Sequence, residues 1–155
     1  EIKGDKPEDE LYKGRISYLL GENKDAISYL EKAKEHKQML ASYYLGLAYD
    51  ANGDSDKAKK CIAEYIKSGV ATSYDLYELG MQEMQDGNYK NALTYFNSGL
   101  ELEKVPNKQN LMKSAIAAYE YSGDFDSAKK MMKEYLKAYP DDEEAKHENT
   151  FLETR

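Results

Sequence analysis

Few side chains in this 155-residue sequence have the chemistry of a catalyst or a metal ligand. Cys61 is the single thiol nucleophile, and His36 and His147 are the two imidazoles. The histidines are far apart in sequence and have no metal-ligand partner at the usual spacing. The acidic run at 141–144 offers oxygen donors, but it lacks the glycine-centred twelve-residue loop of a calcium site. The sequence therefore predicts no metal site.

Catalytic motifs are missing as well. The sequence has no phosphate-binding loop, no dinucleotide fingerprint, no H-E-x-x-H and no G-x-S-x-G. Cys61 falls in the same repeat column as Tyr29, Tyr95 and Met131, and this semi-apolar column predicts a packing role. We therefore predict no catalytic residue, no cofactor and no enzyme activity, with surface positions for both histidines.

Small residues recur at a nearly constant spacing. A glycine appears at steps of 32, 34 and 36 residues, and an alanine follows each one five residues later. A period near 34 is typical of stacked repeat proteins. The pairs are Gly21 with Ala26, Gly53 with Ala58, Gly87 with Ala92, and Gly123 with Ala128.

Apolar residues on both sides of each glycine recur at i, i+3, i+4 and i+7, which is helical spacing. Glycine ends a helix with positive φ at no steric cost. The following Asp54, Asn88 and Asp124 suit the N-cap of a second helix. Glu22 is a poorer cap, so Asn23 is the alternative in the first repeat. The pattern predicts an all-α fold, an α-α superhelix built from antiparallel helix pairs.

The predicted domain organisation is a linker, a repeat array and a capping helix. Residues 1–7 are charged and are predicted to be an N-terminal linker. Four repeats follow over residues 8–140, at about 8–36, 39–68, 73–102 and 107–140, and residues 141–155 form a C-terminal cap. The predicted helices are 8–20, 24–36, 39–52, 55–68, 73–86, 89–102, 107–122, 125–138 and 142–153.

A family resemblance rests on motif residues that agree in register. The second repeat contains Leu45-Gly46, Tyr49 and Gly53-Asp54, and the third contains Leu79-Gly80, Gly87-Asn88-Tyr89 and Phe96. With these residues, the chain resembles the tetratricopeptide repeat family over about residues 8–140. The family tryptophan is missing from every repeat, and Ile116 replaces the first-helix glycine in the fourth.

The resemblance implies a non-catalytic scaffold that binds a protein or peptide in a concave groove lined by the first helix of each repeat. The implied groove is apolar and rich in tyrosine and methionine, which are common at recognition surfaces. The alternative is that half of these residues are packing residues within the repeats. The groove residues are Leu11, Arg15, Tyr18, Tyr43, Leu47, Asp50, Tyr74, Tyr77, Met81, Met84, Lys113, Glu120 and Tyr121.

One known subtype of such arrays is not expected. Arrays that grip the acidic tail of heat-shock chaperones carry lysine and asparagine at fixed first-helix positions. In this chain those positions hold Leu11, Arg15, Tyr43, Leu47, Tyr77 and Met81. An apolar partner segment, extended or helical, is therefore the predicted ligand.

The net charge of −7 is unevenly placed, and it limits the classes of partner. Residues 1–10 carry a net charge of −3 and residues 141–155 a net charge of −4, so the repeats between them are neutral. An acidic chain without a basic stripe argues against nucleic acid. The apolar runs are too short for membrane insertion.

A structural role is the alternative function: a self-assembling subunit, hence a homo-oligomer, or a surface-anchored bacterial protein of the lipoprotein type. The first residue is glutamate, which fits removal of a secretion or lipoprotein leader before Glu1. A single cysteine suits either redox compartment. The compartment, cytoplasmic or extracytoplasmic, therefore stays open.

A second period lies within the first. Residues 53–67 closely match residues 123–137, while the first and third repeats share a different pattern. This alternation indicates a duplicated two-repeat unit. It also predicts that Tyr65 and Tyr135 are buried at contacts between repeats.

Overall fold

The computed structural model describes residues 6–155, and all regular structure in this range is helical. Both ends of every predicted helix lie within two residues of the observed ones. The described helices are α1 (Pro7–Leu19), α2 (Asn23–Glu35), α3 (Leu40–Ala51), α4 (Ser55–Lys67), α5 (Ser73–Gln85), α6 (Tyr89–Leu100), α7 (Lys108–Tyr121), α8 (Phe125–Ala138) and α9 (Glu143–Leu152).

The two ends of the chain were predicted to be a linker and a cap. Most of the predicted linker at 1–7 lies outside the described residues, and Pro7 already begins α1. At the other end, α9 packs against α8 and buries Ala145 and Leu152. In the described part of the chain, no helix is both long enough and apolar enough to cross a membrane.

The chain forms two compact units, Glu1–Ala71 (unit 1) and Thr72–Arg155 (unit 2). In unit 1, α1 packs with α2, α2 with α3, and α3 with α4. In unit 2, α5 packs with α6, α6 with α7, α7 with α8, and α8 with α9. Each unit therefore holds two helix pairs, in agreement with the two-repeat period of the sequence.

The repeated glycine ends the first helix of each pair. The four glycines have φ values of 75° to 86°, where a side chain would be strained. The residue after each glycine donates its backbone N–H to the carbonyl of the residue five positions before it. This hydrogen bond closes a Schellman turn. These bonds run from Glu22 to Ser17, Asp54 to Tyr49, Asn88 to Glu83 and Asp124 to Tyr119, at 2.8 to 2.9 Å.

The prediction of N-cap side chains is only partly correct. Asp124 does cap α8, accepting from the backbone N–H of Ser127 at 3.1 Å. Asp54 and Asn88 stand at the N-cap positions of α4 and α6, but their side chains make no capping hydrogen bond. The Asp54 carboxylate pairs instead with Lys57 at 3.5 Å.

In the first pair, the N-cap of α2 is Glu22, so the assignment of Asn23 to this position is wrong. Asn23 is the first helical residue. Its side-chain amide donates to the carbonyl of Ala51 at 3.3 Å, which ties the start of α2 to the end of α3.

Small residues let the two helices of a pair approach closely. The alanines that follow the turns are at most 5% exposed. In three of the four pairs, the first helix carries a glycine whose added Cβ would overlap a side chain of the partner helix. The facing residues are Gly14 with Leu30, Gly46 with Ile62, and Gly80 with Phe96. In the fourth pair, Ile116 replaces the glycine and is buried in the same cluster as Met132.

Burial agrees with the packing roles predicted from the repeat columns. Tyr65 and Tyr135 are 2% and 0% exposed, which confirms their predicted burial. The Tyr65 ring lies 5.3 Å from Tyr43 of its own helix pair, and the contact between repeats stays a prediction. Cys61 belongs to the apolar cluster of unit 1, and this burial raises the pKa of its thiol. His36 and His147 are exposed, as predicted.

We predict that Gly80→Ala lowers the free energy of unfolding by about 2 kcal/mol, because the new methyl group forces the Phe96 ring out of its position. Urea unfolding followed by circular dichroism measures the change, with Glu78→Ala on the exposed face of α5 as control. Adding Phe96→Leu should make the double variant less unstable than the sum of the single effects. A loss below about 0.5 kcal/mol for Gly80→Ala would contradict the proposed close approach.

Candidate functional site

The predicted groove residues of unit 1 lie on α1 and α3, which contact each other. The Arg15 guanidinium lies 4.9 Å from the centre of the Tyr44 ring, and Tyr18 meets the same ring edge-on at 6.4 Å. Burial and the nearby Asp50 carboxylate raise the pKa of Tyr18. Of the predicted residues, Asp50 is exposed and the others are half-buried: Leu11, Arg15, Tyr18, Tyr43 and Leu47.

In unit 2, the predicted groove residues lie on α5 and α7, which also contact each other. The hydroxyl of Ser114 donates to the Met81 sulfur at 3.6 Å across this contact. Tyr74 and Tyr121 are 56% and 69% exposed. The remaining predicted residues are half-buried: Tyr77, Met81, Met84, Lys113 and Glu120.

The half-buried residues of unit 2 have a second role in packing. The Tyr77 ring lies 6.3 Å from Phe96, and Met81 and Met84 pack against the same apolar cluster. Tyr121 stacks on Tyr89 with ring centres 5.4 Å apart, and it remains mostly exposed. The two exposed tyrosines are therefore the aromatic residues of unit 2 best placed to contact a partner.

A cavity of about 370 Å³ lies between α7, α8 and α9, entirely within unit 2. Its apolar lining comes from buried residues of all three helices, and its rim carries a lysine, three glutamates and a tyrosine. The lining residues are Lys113, Ile116, Ala117, Glu120, Tyr121, Met132, Tyr135, Glu144, Ala145 and Glu148. Its volume lies at the small end of the range of ligand pockets, about 300 to 1,000 Å³.

One end of this cavity is held by a polar network. The Lys113 ammonium lies 2.8 Å from the Asp142 carboxylate and 3.4 Å from Glu144. The Tyr135 hydroxyl donates to Asp142 at 2.6 Å, and Asp142 also caps α9 by accepting from the N–H of Ala145. The lysine holds the pKa of the Asp142 carboxyl well below its usual range. The network ties the start of α9 to α7 and α8.

At the other end of the cavity, Glu120 on α7 and Glu148 on α9 line the wall with their carboxyls close together. A hydrogen bond between two carboxyls requires one of them to hold a proton. Burial, and then the contact with Glu148, raise the pKa of Glu120 to about 7. Among the described residues, no ion pair joins Glu120 or Glu148 to a lysine, arginine or histidine.

Unit 1 contains a cavity of about 540 Å³, and three of the polar side chains that line it are paired. The Tyr49 hydroxyl donates to Glu31, and the Lys34 ammonium binds Glu64. Cys61 lines this cavity, buried in the apolar cluster. Within the described residues, no group of three acidic, histidine or cysteine side chains is arranged to hold a metal ion.

Sequence reasoning placed the groove on first helices alone, so it missed the contribution of α8 and α9 to the cavity. Tyr135 was predicted as a buried packing residue, and α9 as a cap. The signal available in the sequence was the i, i+4 spacing of Glu144 and Glu148, which places both on one face of a helix.

These observations define an all-α protein built from helix pairs that turn at glycine. The tetratricopeptide repeat family model matches residues 40–68 and 109–142. The two matched segments cover α3 with α4 and α7 with α8, and these helix pairs are therefore identified as tetratricopeptide repeats.

A solved structure with the same fold is that of YrrB, described as a TPR protein with an unusual peptide-binding site. The two superpose with a TM-score of 0.63 at 18% sequence identity, over 95% of this chain and 76% of that one. Among curated proteins, none matches this chain. The likeness to YrrB establishes the fold.

The Glu120 pair predicts a pH-dependent stability. An acid whose pKa rises on folding, here from 4.5 to about 7, stabilises the folded state at low pH, and this contribution is lost as the pH rises towards and through 7. We predict that the melting temperature falls by about 2 °C more between pH 5 and pH 8.5 in the unaltered chain than in Glu120→Gln. Scanning calorimetry at both pH values measures it, with Glu134→Gln as control. Equal falls in both proteins would contradict the pairing.

Proposed function

We propose that this protein is a non-catalytic binding module that holds a segment of another protein on the first helices of unit 2. The observation that carries the proposal is the exposure of Tyr74 and Tyr121 at the borders of a surface made of half-buried Tyr77, Met81 and Met84. Tyrosine and methionine provide large contact areas with few charges to desolvate. The match of two helix pairs to the tetratricopeptide repeat family supports binding of protein or peptide ligands.

The surface favours a largely apolar segment over a charged tail. Its centre, Met81, offers a thioether and a hydrocarbon chain, and the tyrosine rings combine apolar faces with a hydrogen-bonding hydroxyl. Lys113 is already engaged by Asp142 and Glu144, so it is poorly placed to take a partner carboxylate. The peptide-binding site of the structurally similar YrrB gives further support to a peptide ligand.

Peptide selection tests this proposal directly. We predict that a library of random twelve-residue peptides displayed on phage yields binders to the full chain, and that Tyr74→Ala with Tyr121→Ala weakens them by about tenfold or more. Both side chains are mostly exposed, so helicity and stability should change little.

The control is Val70→Ala, because Val70 is an exposed apolar residue of unit 1 that lies outside the proposed surface and outside α1. Isothermal titration calorimetry gives the affinities. Selected peptides that bind the double variant as tightly as the unaltered chain would contradict the assignment to unit 2, and a selection without binders would contradict the function.

A second candidate function, self-association, is favoured by the apolar outer face of α1. Tyr12, Ile16, Leu19 and Leu20 are 41% to 77% exposed along this helix. In the repeat register, Ile16 corresponds to Ala48 in α3 and Ala118 in α7, which are both fully buried. The preceding helices α2 and α6 pack against α3 and α7, whereas no described helix precedes α1. We propose a second copy of this chain as the occupant of the α1 face.

For this candidate, static light scattering over a concentration series is the test. We predict an increase in mean mass with concentration that Leu19→Glu with Leu20→Glu removes, because two buried charges oppose the contact. Val70→Glu, an exposed apolar position elsewhere in unit 1, is the control. A constant monomer mass up to millimolar concentration would reject self-association.

A further inference from the structure

We propose that the cavity between α7, α8 and α9 is a receptor for one basic side chain, lysine or arginine, of the segment bound by unit 2. This inference rests on the proposed function, because it names a feature of the same partner. Its physical basis is a cavity with an apolar floor and two facing carboxyls at one end.

The floor of the cavity suits the hydrocarbon stem of such a side chain. Ile116, Met132 and Ala145 line it and are at most 5% exposed, so their surfaces are held in place by the core of unit 2. Lysine and arginine carry three or four methylene groups below their charge, and these prefer apolar surface while the charged end reaches a polar partner.

The charge of the lining is complementary to a cation. Three glutamates and one lysine line the cavity, and the lysine is neutralised by Asp142 and Glu144. Glu120 and Glu148 therefore remain as the carboxyls without a cationic partner among the described residues. A lysine ammonium placed between the two carboxyls would donate a charge-assisted hydrogen bond to each of them. These bonds would take the place of the proton on Glu120.

Two other occupants fit less well. A metal ion would need a third ligand, and the described residues around the pair provide no such group. A purely apolar side chain would fill the floor but would leave the two carboxyls facing each other, with the raised pKa of Glu120 unchanged. A cation instead offsets the repulsion between the two carboxyls and so favours the ionised form of Glu120.

Binding of a cation should consequently depend on pH. The groups that face Glu120 across the cavity are Glu148 and Glu144 on α9, Tyr135 on α8, and Lys113 and Tyr121 on its own helix. Of these groups, Glu120 has the raised pKa and must lose its proton when the ammonium binds, so the affinity should rise between pH 5.5 and pH 8. A neutral ligand of the same length should show no such rise.

The experiment uses the full chain labelled with nitrogen-15, with n-hexylammonium as the cationic probe and 1-hexanol as its neutral counterpart. We expect hexylammonium at pH 7.5 to shift the amide signals of Ala117, Glu120, Ala145 and Glu148, and to bind at least about tenfold more tightly than hexanol. Glu120→Gln with Glu148→Gln should remove that preference.

The matched control, Glu101→Gln with Glu134→Gln, changes the charge of unit 2 equally at exposed positions outside the cavity. Equal binding of both probes, signal changes spread over the acidic surface, or a preference for hexylammonium that persists in the Glu120 and Glu148 double variant would each overturn the proposal.

Peptide selection separates this inference from the proposed function. Selected peptides that lack a basic residue and are unaffected by Glu120→Gln with Glu148→Gln would overturn the basic-side-chain receptor while the binding function stands. A basic residue at a fixed position in the selected peptides, with about tenfold loss in the double variant, would support both.

Discussion

The structure depends on the close approach of the two helices in each pair. This approach requires a glycine on the first helix and a small side chain on the second, as at Gly80 and Ala92. The facing residue, such as Phe96, then occupies the space that a Cβ would take. Because the pair packs this tightly, its outward residues are fixed in direction, and a recognition surface can be built from them.

The turn and the approach reinforce each other. The positive φ at the glycine ends the first helix, and the Schellman bond directs the chain back along it. Because the Schellman bond already sets the direction of the chain, a capping side chain is not needed to do so. This is consistent with the different behaviour of the side chains at the N-cap positions. Asp124 caps its helix through its carboxylate, whereas Asn88 occupies the same position without doing so.

The fourth helix pair departs from this rule, and the cavity lies beside it. Ile116 takes the place of the glycine, and together with Met132 it forms buried apolar surface that faces α9 as well as its own pair. The pair therefore presents a broader apolar floor than a glycine would allow. The helix that follows covers this floor only in part, which leaves room for a ligand.

Periodicity predicted the helices well because it reports which residues must be buried, and the repeated glycines mark where the first helix of each pair ends. The same reasoning identified Tyr65 and Tyr135 as core residues and Cys61 as a packing residue. It could not predict the cavity. The cavity depends on where α9 comes to lie, and α9 belongs to no repeat, so no column of the sequence reports its neighbours.

The position of α9 changes how the distribution of charge is interpreted. The repeats are neutral and the excess acid lies near the ends of the chain, which by itself suggests recognition by packing alone. However, α9 brings Glu144 and Glu148 to the edge of the α7 surface, with Lys113 holding the first of them. Glu148 instead meets Glu120, and the two carboxyls contact each other. Folding thus concentrates negative charge at one point of an otherwise apolar surface, where a cationic group on a partner would be favoured over a neutral one.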